Sequence, residues 1–137
     1  MKNQGNKPMT SKPVVLLVDD DRHIMELVEA VMLTIQADLL YASNAQEGIR
    51  LAQDHHPILI LMDLLMPAPS LKGWDAISVL KSDSSTSHIP IIALTAAGGE
   101  GIMRAIEAGA DECIQKPFSM RHFQQILAQY IAKTAQT

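Results

Sequence analysis

Five short apolar runs, separated by longer amphipathic stretches, set the pattern of this chain: Val14 to Val18, Leu39 to Ala42, Ile58 to Met62, Ile91 to Leu94 and Glu112 to Gln115. The first, third and fourth are apolar at every position, as strands buried on both faces should be. The second is short and the fifth mixed, which suits the edges of a sheet. Between the runs, Ile24, Leu27, Val28, Val31 and Ile35 recur at helical spacing, and so do Phe123, Ile126, Leu127, Tyr130 and Ile131; both stripes predict core-facing helices. Ser43 or Asn44 can cap a helix running to Asp54, Trp74, Ile77 and Leu80 mark a third, and Ile102 with Ile106 mark a fourth. The approach to that fourth helix, Ala96 to Gly101, is rich in glycine. Glycine costs a helix about 1 kcal/mol relative to alanine, so this is expected to be the weakest and most mobile element. Strand and helix in alternation predict an α/β fold, a doubly wound parallel sheet with five helices over its two faces.

Polar residues follow the apolar strands: Asp19 and Asp20 the first, Asp63 the third, Thr95 the fourth, Lys116 the fifth. In a parallel sheet these carboxyl ends share one edge, where the ligand crevice of an open α/β fold lies. Three carboxylates gathered there repel one another, so either their pKa values rise or a cation enters. A divalent ion and the Lys116 ammonium together balance the three charges and leave a pocket able to take phosphoryl oxygens. Mg²⁺ suits such a site, with Mn²⁺ as the alternative ion. Asp63 is the best-placed nucleophile for a phosphoryl group held by metal and lysine.

Composition narrows the choice. A chain of 137 residues fits one domain, and its single cysteine, Cys113, leaves neither a disulfide nor a thiol pair for zinc. Without Lys2, Lys7 and Lys12, which precede Pro13, the remainder carries 8 basic against 15 acidic residues. Direct nucleic-acid binding is therefore not expected. No apolar run reaches the roughly 18 residues of a membrane span, so no membrane contact is expected and the protein is expected in the cytoplasm. Residues 1–12 are expected to form a flexible basic segment, 13–132 the folded domain and 133–137 a tail.

Taken together, Val18-Asp19-Asp20-Asp21, Met62-Asp63-Leu64-Leu65-Met66-Pro67, Ala93-Leu94-Thr95-Ala96, Ala108-Gly109-Ala110-Asp111 and Gln115-Lys116-Pro117-Phe118 resemble the receiver domains of two-component response regulators. The resemblance covers Pro13 to Ala132 and implies a flavodoxin-like sheet of order 2-1-3-4-5. It implies that Asp63 takes a phosphoryl group from a histidine kinase or histidine phosphotransfer protein. Asp20 would contact Mg²⁺ directly, Asp19 would help bind it, and the Leu65 main-chain carbonyl would complete the protein ligands. Thr95 would hydrogen-bond a phosphoryl oxygen, Lys116 would pair with the phosphate, and the Lys116–Pro117 bond would be cis. The signal would leave through the face of the fourth helix, fifth strand and fifth helix toward a downstream protein, or toward a second copy of the chain in a phosphorylation-dependent homodimer. The alternative is a degenerate receiver serving as a constitutive protein-interaction module.

The chain departs from the family pattern in three places. The switch aromatic, three residues before the lysine, is replaced by Cys113, so activation is expected to be read mainly through Thr95 and the helix after it. The loop from Ala68 to Gly73 is about two residues longer than the common pattern, as surface loops tolerate. The positions two after Asp63 and two after Thr95, tied to hydrolysis rate in the family, are Leu65 and Ala97, which cannot orient water; slow self-dephosphorylation follows. Asp21 is expected to cap the first helix, His55-His56 to lie in a solvated turn, and Met25, Met32, Met62, Met66 and Met103 to fill gaps in the core.

Overall fold

A computed structural model of the chain describes residues 12–96 and 99–135. The elements run β1 (Val14–Val18), α1 (Arg22–Ile35), β2 (Asp38–Ala42), α2 (Ala45–His55), β3 (Leu59–Asp63), α3 (Gly73–Ser82), β4 (Ile91–Thr95), α4 (Gly99–Ala108), β5 (Glu112–Gln115) and α5 (Met120–Ala135). All four strand pairings are parallel, in the order β2-β1-β3-β4-β5. The short and the mixed strand are the two edges. The α/β doubly wound, flavodoxin-like sheet expected from the sequence is the fold observed.

Period-two alternation sorts the strand side chains into two cores. Leu16, Val18, Ile60, Met62 and Ala93 face Ala45, Ala52, Ala76, Ile77, Leu80 and Ala105 of α2, α3 and α4. Val15, Leu17, Leu59, Leu61, Ile92, Leu94 and Ile114 face Val28, Val31, Met32, Phe123, Ile126 and Leu127 of α1 and α5. Burial of both strand faces is why these runs carry no polar alternation.

The caps are local and specific. Asp21 accepts from the N–H of His23 at the start of α1, and Asn44, rather than Ser43, accepts from the N–H of Glu47 at the start of α2. His55 and His56 are exposed, with His56 in the left-handed conformation that ends α2. Thr86, wholly buried, donates its hydroxyl to the carbonyl of Leu80 and closes the end of α3.

Ile102 and Ile106 do lie on a helix, α4, but the residue that α4 buries is Ala105, while Ile106 is 59% exposed and Met103, expected to fill a gap, is 63% exposed. Helix α4 rests on its neighbours through a small side chain, so only a narrow strip faces inward and the larger apolar residues beside it project outward. The mobility expected of Ala96 to Gly101 falls partly on Ala97 and Gly98, which lie outside the described residues. So do residues 1–11 of the basic segment and residues 136 and 137, whereas α5 continues to Ala135. Among the described residues no helix is long and apolar enough to cross a membrane.

Candidate functional site

Strand order reverses between β1 and β3, and their carboxyl ends carry Asp19 and Asp63. Asp19 follows β1 directly, fully buried, and its N–H donates to the carbonyl of Ala42 at the end of β2. One of its carboxylate oxygens accepts from the N–H of Asp21 at 2.9 Å. The other accepts from the Lys116 ammonium at 2.8 Å. Asp63 is the last residue of β3 and only 5% exposed; its Oδ1 lies 3.3 Å from the same ammonium. Lys116 arrives from beyond β5, tied down by its own N–H on the carbonyl of Thr95 at 2.6 Å. Thr95, 2% exposed, ends β4 next in the sheet to Asp63.

Asp20 is exposed at the mouth, and one carboxylate oxygen from each of Asp19, Asp20 and Asp63 falls within 4.8 Å of the others. The electrostatic result is an overcharged pocket. Burial, reinforced by the Asp19 charge and only partly opposed by Lys116, raises the Asp63 carboxyl to about 6. Burial likewise raises Asp19 in spite of its bond to Lys116. For Lys116 burial acts downward, but the two carboxylates outweigh it and leave the ammonium held above its ordinary value. One ammonium therefore does not neutralise the carboxylates, and an all-oxygen donor set short of positive charge is what a hard divalent cation requires. The residues fit Mg²⁺ on that ground.

Leu65 turns its side chain outward, 52% exposed, and presents no polar side-chain atom to the site. Cys113 stands in register with Ala93, half-buried among the α2–α4 core residues. Burial, with the nearby Glu112 charge, pushes its thiol pKa up. The structure thus brings Asp19, Asp20, Asp63, Thr95 and Lys116 to one edge, and places Cys113 further back along β5. The Lys116–Pro117 bond is cis, and so is Ala68–Pro69, which the sequence did not suggest.

Three features around the site were not anticipated. A concavity of about 460 Å³ flanks the carboxylates, bounded by Asp20, Ser43 and Asn44 on one side and by Pro67 to Ser70 on the other. The longer loop forms its wall and is clasped to the first turn of α2. Ser70 Oγ accepts from the N–H of Ala45 at 3.0 Å, and the Gln46 side chain reaches the Pro69 carbonyl at 3.2 Å and the Leu71 N–H at 3.3 Å. Gly48 and Gly73 allow α2 and α3 to approach the strands: a Cβ on Gly48 would lie 2.6 Å from a Val18 methyl, and one on Gly73 would lie 2.2 Å from the Asp63 carbonyl oxygen. A glycine inside an amphipathic stretch was the available signal for Gly48, whereas Gly73 stood only at the end of a loop.

Residues 15–128 match the family model for the response regulator receiver domain. Among curated relatives, the phosphate regulon transcriptional regulatory protein PhoB of Pseudomonas aeruginosa is 36% identical over 121 residues, covering 88% of this chain and 52% of that protein. The polar-differentiation response regulator DivK of Brucella ovis is 33% identical over 118 residues, covering 85% of this chain and 94% of DivK. The chain thus spans about half of PhoB and nearly all of DivK. A CheY-like receiver domain from Methanospirillum hungatei shares the fold, with a TM-score of 0.82 at 21% identity over 92% of this chain and 98% of that one. The receiver domain of sensor histidine kinase PA1611 from Pseudomonas aeruginosa, solved with magnesium coordinated in its active-site cleft, gives 0.79 at 27% identity over 88% and 98%. On the family match and the DivK likeness, this chain belongs to the response regulator receiver domains of two-component signalling systems.

Proposed function

We propose that the chain accepts a phosphoryl group on Asp63 from a phosphohistidine on a kinase or phosphotransfer protein, in a reaction that needs Mg²⁺. The observation that carries this is the Lys116 ammonium lodged between Asp19 and Asp63 beside a third carboxylate. Asp19, Asp20 and Asp63, with the Leu65 carbonyl, would hold the ion. When bound, it supplies the positive charge that lets a carboxylate and phosphoryl oxygens share one small volume.

The chain's own residues then do three things. An Asp63 carboxylate oxygen attacks phosphorus as the bond from phosphorus to the donor imidazole nitrogen breaks, leaving an acyl phosphate and a histidine. Lys116 is already within 3.3 Å of the attacking carboxylate and pairs with the developing phosphoryl charge. Thr95, one strand over, donates its hydroxyl to a phosphoryl oxygen. Its movement draws on α4, whose first turn lies against it: a Cβ on Gly101 would be in ordinary van der Waals contact with Thr95 Oγ1, at 3.8 Å.

The readout face is assigned to α4, β5 and α5, where Met103, Ile106 and Met120 are exposed. Phosphorylation biases the position of α4 there, toward a downstream protein or a second copy of the chain. Arg104 on α4 stacks over the Trp74 ring at 5.2 Å and pairs with Glu100, so α4 is also tied to the first turn of α3. Residues 13–132 are taken as the working unit, acting in the cytoplasm, where kinase and target meet. Beryllofluoride, a phosphoryl mimic, tests the proposal: in ¹⁹F NMR a bound signal should form only with Mg²⁺ and wild-type Asp63, with amide shifts at Thr95 and Lys116. Absence of any adduct at millimolar beryllofluoride favours the constitutive binding module, a reading to which the missing aromatic at Cys113 lends weight.

A further inference from the structure

The backbone that follows Asp63 is hydrogen-bonded on both sides. The N–H of Leu64 donates to the carbonyl of Leu94 on β4 at 3.0 Å, and the Leu64 carbonyl accepts from the N–H of Gly73 at 2.9 Å. Leu64 and Met66 are fully buried, so the outward-facing Leu65 is fixed by the residues on either side of it. The second of these bonds depends on how closely α3 approaches. A Cβ on Gly73 would lie 2.2 Å from the Asp63 carbonyl oxygen and 2.7 Å from Leu64 Cα, both backbone atoms that cannot rotate aside. Gly73 has no positive φ, so what it contributes is closeness rather than an unusual backbone conformation. The middle of the loop is held by α2, through the Ala45 N–H on Ser70 Oγ and the Gln46 side chain on the Pro69 carbonyl and Leu71 N–H.

We propose that Gly73 is a positioning residue of the metal site. By seating the first turn of α3 against the Asp63–Leu64 peptide, it sets where the Asp63 carboxylate and the Leu65 carbonyl stand relative to Asp19 and Asp20. The inference rests on the reading of this cluster as a metal and phosphoryl site. With any side chain at 73, a 2.2 Å contact must open to at least 3.0 Å. Metal–ligand distances tolerate deviations of only about 0.2 Å, and loss of an outer partner typically weakens a site about 10- to 100-fold.

The test is Mn²⁺ affinity, read as loss of the free-ion EPR signal on the full chain, for wild type, Gly73→Ala, Gln46→Ala and Gly109→Ala. Gln46→Ala releases the loop contacts at Pro69 and Leu71 and leaves Gly73 unchanged. Gly109→Ala strains a remote turn, where φ is +114° and a Cβ would lie 3.0 Å from Lys81 Cγ. Gly73→Ala should bind Mn²⁺ about tenfold more weakly, with both controls staying near wild type. Wild-type affinity in Gly73→Ala, or an equal loss in Gly109→Ala, overturns the inference and leaves the metal site standing. A wild-type protein that binds no Mn²⁺ overturns the metal reading and this inference with it. If Gly73→Ala does not fold, amide exchange on wild type decides: Mg²⁺ should slow exchange of the Gly73 N–H, and unchanged protection refutes the role.

Discussion

Replacing Asp63 by asparagine should make the metal-free protein more stable at neutral pH, although it removes the proposed acceptor. The folded-state pKa of Asp63 is raised from 3.8 to about 6. Between those values the folded protein keeps a proton that the unfolded chain has released, so on this account stability falls as pH rises. The contribution is fully present below about pH 4 and is lost as pH passes about 6. Two units at about 1.4 kcal/mol each come to about 3 kcal/mol, undiminished by solvent screening because the side chain is almost wholly buried. Asparagine matches the protonated form in shape and carries no charge. Urea denaturation in EDTA should therefore show Asp63→Asn and wild type nearly equal at about pH 4, with the variant ahead by about 3 kcal/mol above about pH 6.5. In thermal melts the gap corresponds to roughly 10 °C for a chain of this size. Mg²⁺ should narrow it by stabilising wild type more than the variant, wild type gaining about 2.7 kcal/mol at one hundred times its dissociation constant. A variant less stable than wild type at neutral pH in EDTA, or a gap independent of pH, refutes the reasoning.

Lys116→Ala leaves buried Asp19 and Asp63 without their shared cation and should cost about 3 to 5 kcal/mol without metal. That loss should shrink in the Asp63→Asn background, which a double-mutant cycle by urea titration measures. Cys113, with its thiol pKa raised by burial and by Glu112, should alkylate with iodoacetamide more slowly at neutral pH than a free cysteine; faster labelling would contradict its placement. With the Leu65 side chain unable to orient water, the aspartyl phosphate should persist well beyond seconds, and Leu65→Asn should shorten its lifetime in a phosphate-release assay.

The sheet was legible because burial on both faces leaves runs such as Leu16-Leu17-Val18 and Ile60-Leu61-Met62 without polar interruption, and helices cannot use so short a run. The site was legible because each chemically distinctive residue stands where such a run stops. Met103 on α4 was misread because an apolar residue in a helix looks the same whether it meets the core or a partner; small Ala105 gave no hint that it was the buried contact. The clasp of Gln46 and Ser70 joins residues about two dozen positions apart through side chains common on any surface, and no periodicity marks such a contact. Gly73 read only as an element boundary, since closeness between backbone atoms is a property of the packed fold.

Metal-dependent phosphoryl transfer to Asp63 is open to intact-mass spectrometry after incubation with acetyl phosphate and Mg²⁺. A single phosphoryl adduct on wild type, lost with chelator and lost in Asp63→Asn, is the predicted result. An unmodified wild-type mass, or an adduct that survives in Asp63→Asn, would contradict it.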